Sequence, residues 1–171
     1  MGVTVFSAES VTTLIRSGDG IKTIITFLER PEIERRNYAL RLTRVLSERF
    51  GEELASALRT SNKFVMLKDK VLDSQSRDGE RSDAACILAN LSLSENEVKT
   101  MLGTGFIKWI VSTLKGQHCS TNGRSSRSNS TMAEGLLGIL LHFCTSSDPQ
   151  CLGVIKEHQV MTIFRDKLVF A

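Results

Sequence analysis

Apolar positions recur along this chain in a pattern that repeats itself at long intervals. Four segments share this pattern and end in leucine: GIKTIITFL (20–28), FVMLKDKVL (64–72), FIKWIVSTL (106–114) and VMTIFRDKL (160–168). Their final leucines are 44, 42 and 54 residues apart. Spaced apolar residues over nine or more positions predict one-sided helices rather than strands. The sequence therefore predicts an all-α protein built from repeated units.

Two further sets of helices follow the same period. RRNYALRLTRVLSE, ERSDAACILANLSLSE and STMAEGLLGILLHFCT predict longer amphipathic helices, in which Leu42, Leu88 and Leu137 correspond. Apolar residues follow each of them three positions later, at Val45, Leu91 and Leu140. Short helices precede the first set: AESVTTLIR, EELASALRT, ENEVKTMLG and PQCLGVIKE. Three helices per ~42 residues are typical of armadillo repeats, whereas HEAT units have two helices and tetratricopeptide units 34 residues.

The expected architecture is a right-handed α-solenoid of about three and a half three-helix units, which span the whole chain, 1–171. The units run approximately over 5–50, 51–93 and 94–145, and a partial unit covers 148–171. The third unit contains GQHCSTNGRSSRSNS (116–130), whose Gly, Ser and Asn content predicts an inserted loop.

Two glycines in MLGTGFIKWIVSTL raise the question of a phosphate-binding loop. A P-loop requires GxxxxGK[ST] after a strand, and a Rossmann loop requires a third glycine within a βαβ unit. This segment has neither, so we interpret Gly103 and Gly105 as a corner between two helices, with Gly18 and Gly20 at the equivalent corner of the first unit. Trp109 is expected to pack between units.

Composition narrows the function classes. The net charge of +3 is too small to favour nucleic-acid binding. The four cysteines contain no CxxC motif and have no zinc-ligand spacing with the three histidines, so neither a metal site nor a cofactor is predicted. No signal peptide or membrane-spanning apolar run is recognisable, which favours a cytosolic or nuclear setting, and we expect a cytoplasmic location.

No catalytic residues are predicted within the chain. Nucleophilic catalysis needs a nucleophile, a base and an orienting group brought together. His118 falls in the predicted loop, His142 in a predicted helix core and His158 at a predicted corner. No pair of acidic residues is predicted to lie in a pocket.

One segment carries a family resemblance. SDAACILANLSLSENEVKTMLGTGFIKWIVSTL (82–114) resembles an armadillo unit, and together with TMAEGLLGILLHF it is similar to the armadillo region of plant U-box ubiquitin ligases. The resemblance implies a scaffold that binds or positions protein targets. A U-box outside this chain would recruit the ubiquitin-conjugating enzyme and give the ubiquitin-protein transferase activity. The alternative is an armadillo adaptor without enzymatic function, with peripheral contact at the plasma membrane.

The first long helix predicts a binding stripe. Asn37, Arg41, Arg44 and Glu48 follow i, i+4, i+7 and i+11 spacing, opposite Leu42 and Val45 of the same helix. Arginine forks suit carboxylates and phosphates, so an acidic or phosphorylated protein segment is the expected partner. A solvated helix face is the alternative interpretation.

Two single residues complete the predicted sites. In peptide-binding armadillo proteins an Asn near the end of each third helix holds the ligand backbone. Asn90 matches that position, but Arg44 and Ile139 replace Asn in the neighbouring units. Asn90 is therefore either a partner contact or a simple helix-terminal hydrogen bonder. Ser130, three residues after Arg127, is a candidate phosphorylation site for a basophilic kinase.

Overall fold

The computed structural model describes residues 13, 19–102, 105–116 and 127–169 of the chain. All regular structure in these ranges is helical, which confirms the predicted all-α class. The helices are α1 (Asp19–Phe27), α2 (Ile33–Ser47), α3 (Gly51–Thr60), α4 (Phe64–Leu72), α5 (Asp78–Asn90), α6 (Glu95–Leu102), α7 (Phe106–Gly116), α8 (Arg127–Thr145), α9 (Pro149–Glu157) and α10 (Val160–Val169).

The long helices lie beside one another at the centre of the fold. Helix α5 packs against α2 on one side and, over a larger surface, against α8 on the other. Each long helix also contacts the helix that precedes it, as α4 contacts α5 and α7 contacts α8. One continuous hydrophobic core runs from Ile21 to Ile163 through these interfaces. Its fully buried side chains include Phe106 and Phe143.

Helices α5 and α8 approach each other so closely that only glycine fits at two positions of α8. A Cβ atom on Gly135 would lie 2.8 Å from the backbone nitrogen of Cys86. A Cβ atom on Gly138 would lie 2.6 Å from the Cβ of Ala89. Side-chain volume at these positions would push the two helices apart, because helix backbones come this near only across the smallest residues.

Helix α2 buries a different face from the one predicted. Leu42 and Val45 were expected opposite the polar stripe as core residues, but they are 46% and 61% exposed. The core-facing residues are instead Ala39, Leu40, Thr43, Leu46 and Ser47.

Two hydroxyl groups explain why this face can be buried. The Thr43 Oγ1 donates to the carbonyl of Ala39 at 2.7 Å, and the Ser47 Oγ donates to the carbonyl of Arg44 at 2.6 Å. A buried hydroxyl is tolerated when it is hydrogen-bonded, so Thr43 and Ser47 occupy positions that a hydrophobicity pattern assigns to solvent. Leu42 was predicted to correspond to Leu88, but Leu42 is exposed and Leu88 is buried, so the two helices were aligned in the wrong register.

In each predicted unit the short helix is followed by the helix of the first set, which we call the middle helix. The corners between short and middle helices share one backbone conformation. Asn62 before α4, Gly105 before α7 and Gln159 before α10 have φ angles of 55°, 69° and 53°. This left-handed conformation at Gly105 agrees with a helix corner, as predicted from its sequence. Gly20, in contrast, lies inside α1 and is buried, so its assignment to a corner was wrong. Gly18 and Gly103 lie outside the described residues.

The predicted loop 116–130 is too wide at both ends. Gly116 is the last residue of α7, and the backbone of 127–130 forms the first turn of α8. Residues 117–126, which include His118, lie outside the described residues. Trp109 is half-buried on α7, where its ring stacks on Phe106 and lies 5.7 Å from the Arg81 guanidinium of α5.

A Gly→Ala change at the contact between α5 and α8 and one at an exposed glycine elsewhere should have opposite effects on stability. Gly135→Ala is expected to lower the free energy of unfolding by about 1–3 kcal/mol, because overpacking exceeds the gain in helix propensity. Gly153→Ala is the matched control: this exposed glycine of α9 has no atom within 4 Å of its added Cβ. It should gain up to about 1 kcal/mol. Urea unfolding measures both, and a stabilised Gly135→Ala would contradict the close approach.

The corners give a second pair of expectations. Gly105→Ala should cost about 1 kcal/mol, because alanine in the left-handed region clashes with the following carbonyl. Gln159→Gly should raise stability by up to about 1 kcal/mol by removing the same strain. Thermal unfolding of both variants tests whether the two corners have the same conformation. If Gln159→Gly lowers the Tm as much as Gly105→Ala does, the two corners are not equivalent.

Candidate functional site

The strongest candidate site is a cavity of about 510 Å³ beside the exposed face of α2. Three of the long helices contribute to it. Its lining residues are Arg41, Arg44 and Val45 from α2, Gly79, Ser82 and Asp83 from α5, and Thr131 from α8. The close packing of α5 on α2 and α8 thus brings together side chains that are up to 90 residues apart in sequence.

Arg44 is fixed to the neighbouring helix. Its Nη1 donates to the Asp83 Oδ1 at 3.2 Å, across the interface between α2 and α5. Burial opposes the charge of Arg44, but the hydrogen bond and the negative charge of Asp83 help to outweigh it, and the pKa of the guanidinium is raised. Arg44 therefore remains a cation whose charge is already partly neutralised by Asp83. It attracts an acidic partner less strongly than the sequence predicted.

Cys86 lies close to this ion pair. Burial raises the pKa of its thiol above the ordinary value, although the Arg44 charge works in the opposite direction. The Sγ lies 3.5 Å from the Thr131 carbonyl, to which it donates. At neutral pH the thiol is thus protonated and engaged, which does not suit a nucleophile.

Next to the cavity, α2 exposes a stripe of large apolar residues. Tyr38, Leu42 and Val45 follow i, i+4, i+7 spacing and are 71%, 46% and 61% exposed. Arg41 is exposed on the same side of the helix. We call Tyr38, Arg41, Leu42 and Val45 the α2 stripe. Tyrosine and arginine are enriched among residues that dominate protein interfaces.

Asn90 has a structural partner. Its Nδ2 donates to the Ser47 Oγ at 3.0 Å and so connects the carboxyl ends of α5 and α2. At the same level, the His142 Nε2 of α8 lies 2.8 Å from the Ala89 carbonyl. The end of α5 is therefore held on both sides by polar contacts. This arrangement gives Asn90 the role of a helix-terminal hydrogen bonder, although its side chain is also exposed.

The four polar residues predicted from the sequence to form a binding stripe, Asn37, Arg41, Arg44 and Glu48, do not share one environment. Arg41 and Glu48 are exposed, whereas Asn37 and Arg44 are half-buried. The Asn37 Oδ1 is buried without a hydrogen-bond partner among the described residues.

Of the predicted binding residues, Arg41 and Arg44 line the cavity beside α2. Asn90 lies at the end of α5, and Ile139 is fully buried. The candidate phosphorylation residue Ser130 belongs to the first turn of α8.

Sequence reasoning missed Tyr38, Asp83 and Thr131. Tyr38 precedes Leu42 and Val45 with helical spacing, so the apolar stripe was recognisable, but its exposure was not. Asp83 and Thr131 carried no recognisable signal, because each joins the cavity only through the packing of α5 and α8.

Within the described ranges, no group of three metal-ligating side chains is close enough to hold an ion. None of the described helices is long and apolar enough to cross a membrane. Comparison of the chain with protein-family models, curated proteins and solved structures finds no match.

The ion pair between Arg44 and Asp83 predicts a measurable coupling. A double-mutant cycle with Arg44→Met and Asp83→Asn should give about 1 kcal/mol, because the pair is partly shielded from water. The control is the more exposed pair Arg35–Glu32 at the start of α2, whose side chains are 64% and 51% exposed and lie 3.7 Å apart. Its coupling should stay below about 0.5 kcal/mol. Urea unfolding measures both cycles; equal couplings would show that burial of the first pair adds nothing.

Proposed function

We propose that this chain is a protein-interaction scaffold whose helices form a right-handed solenoid of about three and a half armadillo repeats. Three observations support this architecture. A short, a middle and a long helix follow one another in that order twice, as α3–α5 and α6–α8. Left-handed corners occur between short and middle helices at three equivalent places. The three long helices pack consecutively, as third helices do in an array.

The observation that carries the binding role is the α2 stripe. Three large apolar side chains at helical spacing are exposed on one face, with a cavity beside them. The exposed cation Arg41 lies among them and has no ion pair with any of the described residues. An apolar patch bordered by charged groups is typical of an interaction surface. The proposed partner is a protein segment that covers Tyr38, Leu42 and Val45 with apolar groups and places an acidic or phosphorylated residue near Arg41.

The finer proposal is that the scaffold positions targets for a U-box ubiquitin ligase in the plant cytoplasm. The support is the resemblance of residues 82–114 to the armadillo region of such ligases. In this proposal the chain selects the target, while a U-box outside it recruits the ubiquitin-conjugating enzyme. An adaptor without ligase activity would use the same α2 stripe and would lack the U-box.

Binding through the α2 stripe is tested with single substitutions at exposed positions. Proteins are captured from plant extract, identified, purified and titrated against the chain by calorimetry. Leu42→Glu and Arg41→Glu should each weaken binding at least about tenfold, because they place charge in an apolar contact or reverse the charge that attracts the partner. Lys108→Glu is the control, since Lys108 is an exposed lysine of α7 away from the stripe. Equal affinity for all variants would exclude the α2 stripe as the interface.

The ligase role needs a separate measurement. The full-length transcript is sequenced, and the protein it encodes is assayed for ubiquitin transfer to the identified target. Transfer that Leu42→Glu abolishes would support target positioning. A full-length protein without a U-box would support the adaptor. Retention of the chain on phosphatidylserine vesicles, lost in Arg41→Glu, would instead support a membrane-surface role.

A further inference from the structure

A second cavity lies on a different part of the molecule, where the end of α3, the start of α4 and helix α6 meet. Its volume is about 250 Å³. Apolar side chains from two helices form part of its wall, namely Phe64 and Val65 from α4 and Met101 from α6. Arg59 from α3 and Lys68 from α4 also line the cavity. None of these residues belongs to the α2 stripe or to the cavity beside it.

The charge of Arg59 is already engaged by protein groups. Its Nε donates to one carboxylate oxygen of Glu97 at 2.8 Å, and its Nη2 donates to the other at 3.1 Å. The Nη2 also donates to the Ser92 carbonyl. The guanidinium lies 5.7 Å from the centre of the Phe64 ring, within the range of a cation–π contact. Arg59 is therefore a structural part of the wall, and the hydrogen bond from it helps to lower the pKa of Glu97 against the opposing effect of burial.

Lys68 is the cation that lacks such a shell. The residue is only 8% exposed. Among the described residues, its Nζ has one ionic partner, the Asp69 Oδ1 at 3.3 Å. Asp69 is the next residue in sequence, its side chain is 62% exposed, and it does not line this cavity. An ammonium group has three hydrogens to donate, and a nearly buried one is costly unless they are satisfied.

The lining consequently has an unbalanced charge. It contains the two cations Arg59 and Lys68 but only one carboxylate, Glu97, which is bound to Arg59. The side-chain amide of Asn62 and the hydroxyl of Thr100 lie among the lining residues as further polar groups. An anion that reached Lys68 would give its ammonium a second ionic partner beside Asp69. The apolar part of the anion would contact Phe64, Val65 and Met101.

We propose that this cavity binds a carboxylate attached to a small apolar group, presented by a peptide segment of a partner protein. The carboxylate pairs with the Lys68 ammonium. The volume favours one side chain over a cofactor, because sites for small molecules generally measure roughly 300–1,000 Å³. The carboxylate can come from a Glu or Asp side chain or from a peptide C-terminus, and both have the same chemistry at Lys68.

The first experiment uses a minimal probe. The chain, labelled with ¹⁵N, is titrated with 4-methylpentanoate, and amide shifts of Val65, Thr100 and Met101 are followed. We expect saturable shifts with a Kd in the millimolar range. The neutral isostere 4-methylpentanamide should bind at least about tenfold more weakly, because it cannot pair with the ammonium. Equal shifts with both compounds, or none with either, would overturn the proposal.

Substitution of the lysine tests the same point from the protein side. Lys68→Met keeps the length of the side chain and removes its charge, so 4-methylpentanoate should bind at least about tenfold more weakly. The Tm of this variant should be unchanged or higher, because an incompletely paired buried charge is removed. Lys115→Met, at an exposed lysine of α7, is the control and should bind as the unmodified chain does. A Lys68→Met variant that is folded and binds normally would contradict the proposal.

Peptides distinguish the two sources of the carboxylate. One peptide ends in a free C-terminal leucine, and the other carries an internal Glu–Leu pair with a C-terminal amide. If the first peptide binds more tightly, the carboxylate comes from a peptide C-terminus. If the second binds more tightly, it comes from an acidic side chain. If neither peptide binds, the proposal that a peptide supplies the carboxylate is overturned. Leu42→Glu should leave all these affinities unchanged, so failure of this site and failure of the α2 stripe are separate results.

Discussion

The close approach of α5 and α8 is the constraint on which the rest of the structure depends. Gly135 and Gly138 let the two backbones come together, and Ala85 and Ala89 form the opposing surface. Because close-packed interiors transmit strain, a larger side chain at this contact would displace the neighbouring helices as well. The position of α5 in turn fixes where Asp83 meets α2, and hence the cavity beside the α2 stripe.

Polar contacts orient the long helices where apolar packing alone would not. The Asn90 amide bonds to Ser47, Arg44 pairs with Asp83, and His142 contacts the end of α5. These contacts lie between elements that are distant in sequence, and they turn the polar residues of α2 toward its neighbour. The apolar Tyr38 and Leu42 are exposed as a consequence. The surface available for a partner is thus a result of how the interior satisfies its hydrogen bonds.

The two proposed binding sites differ in their physical basis. On α2, exposed apolar area favours a partner, and the nearby Arg44 is already paired. At Lys68, burial of an incompletely paired ammonium favours a carboxylate, and the apolar wall adds contact area. A partner that used both would need contacts on separate helices, α2 for the first and α3, α4 and α6 for the second. In the proposed repeat array, an extended surface would suit this kind of distributed recognition.

The sequence by itself determined the helices and several of their limits. The predicted segments 64–72 and 149–157 coincide with α4 and α9, and the helix predicted from Phe106 begins there. Spacing of apolar residues and glycine at a corner act within a few residues, so they are readable without a fold. Only the tertiary structure decided which face of α2 is buried. The sequence pattern favoured Leu42 and Val45, whereas the structure buries Thr43. That choice depends on carbonyl partners for hydroxyl groups and on contacts with α5, which no local pattern contains.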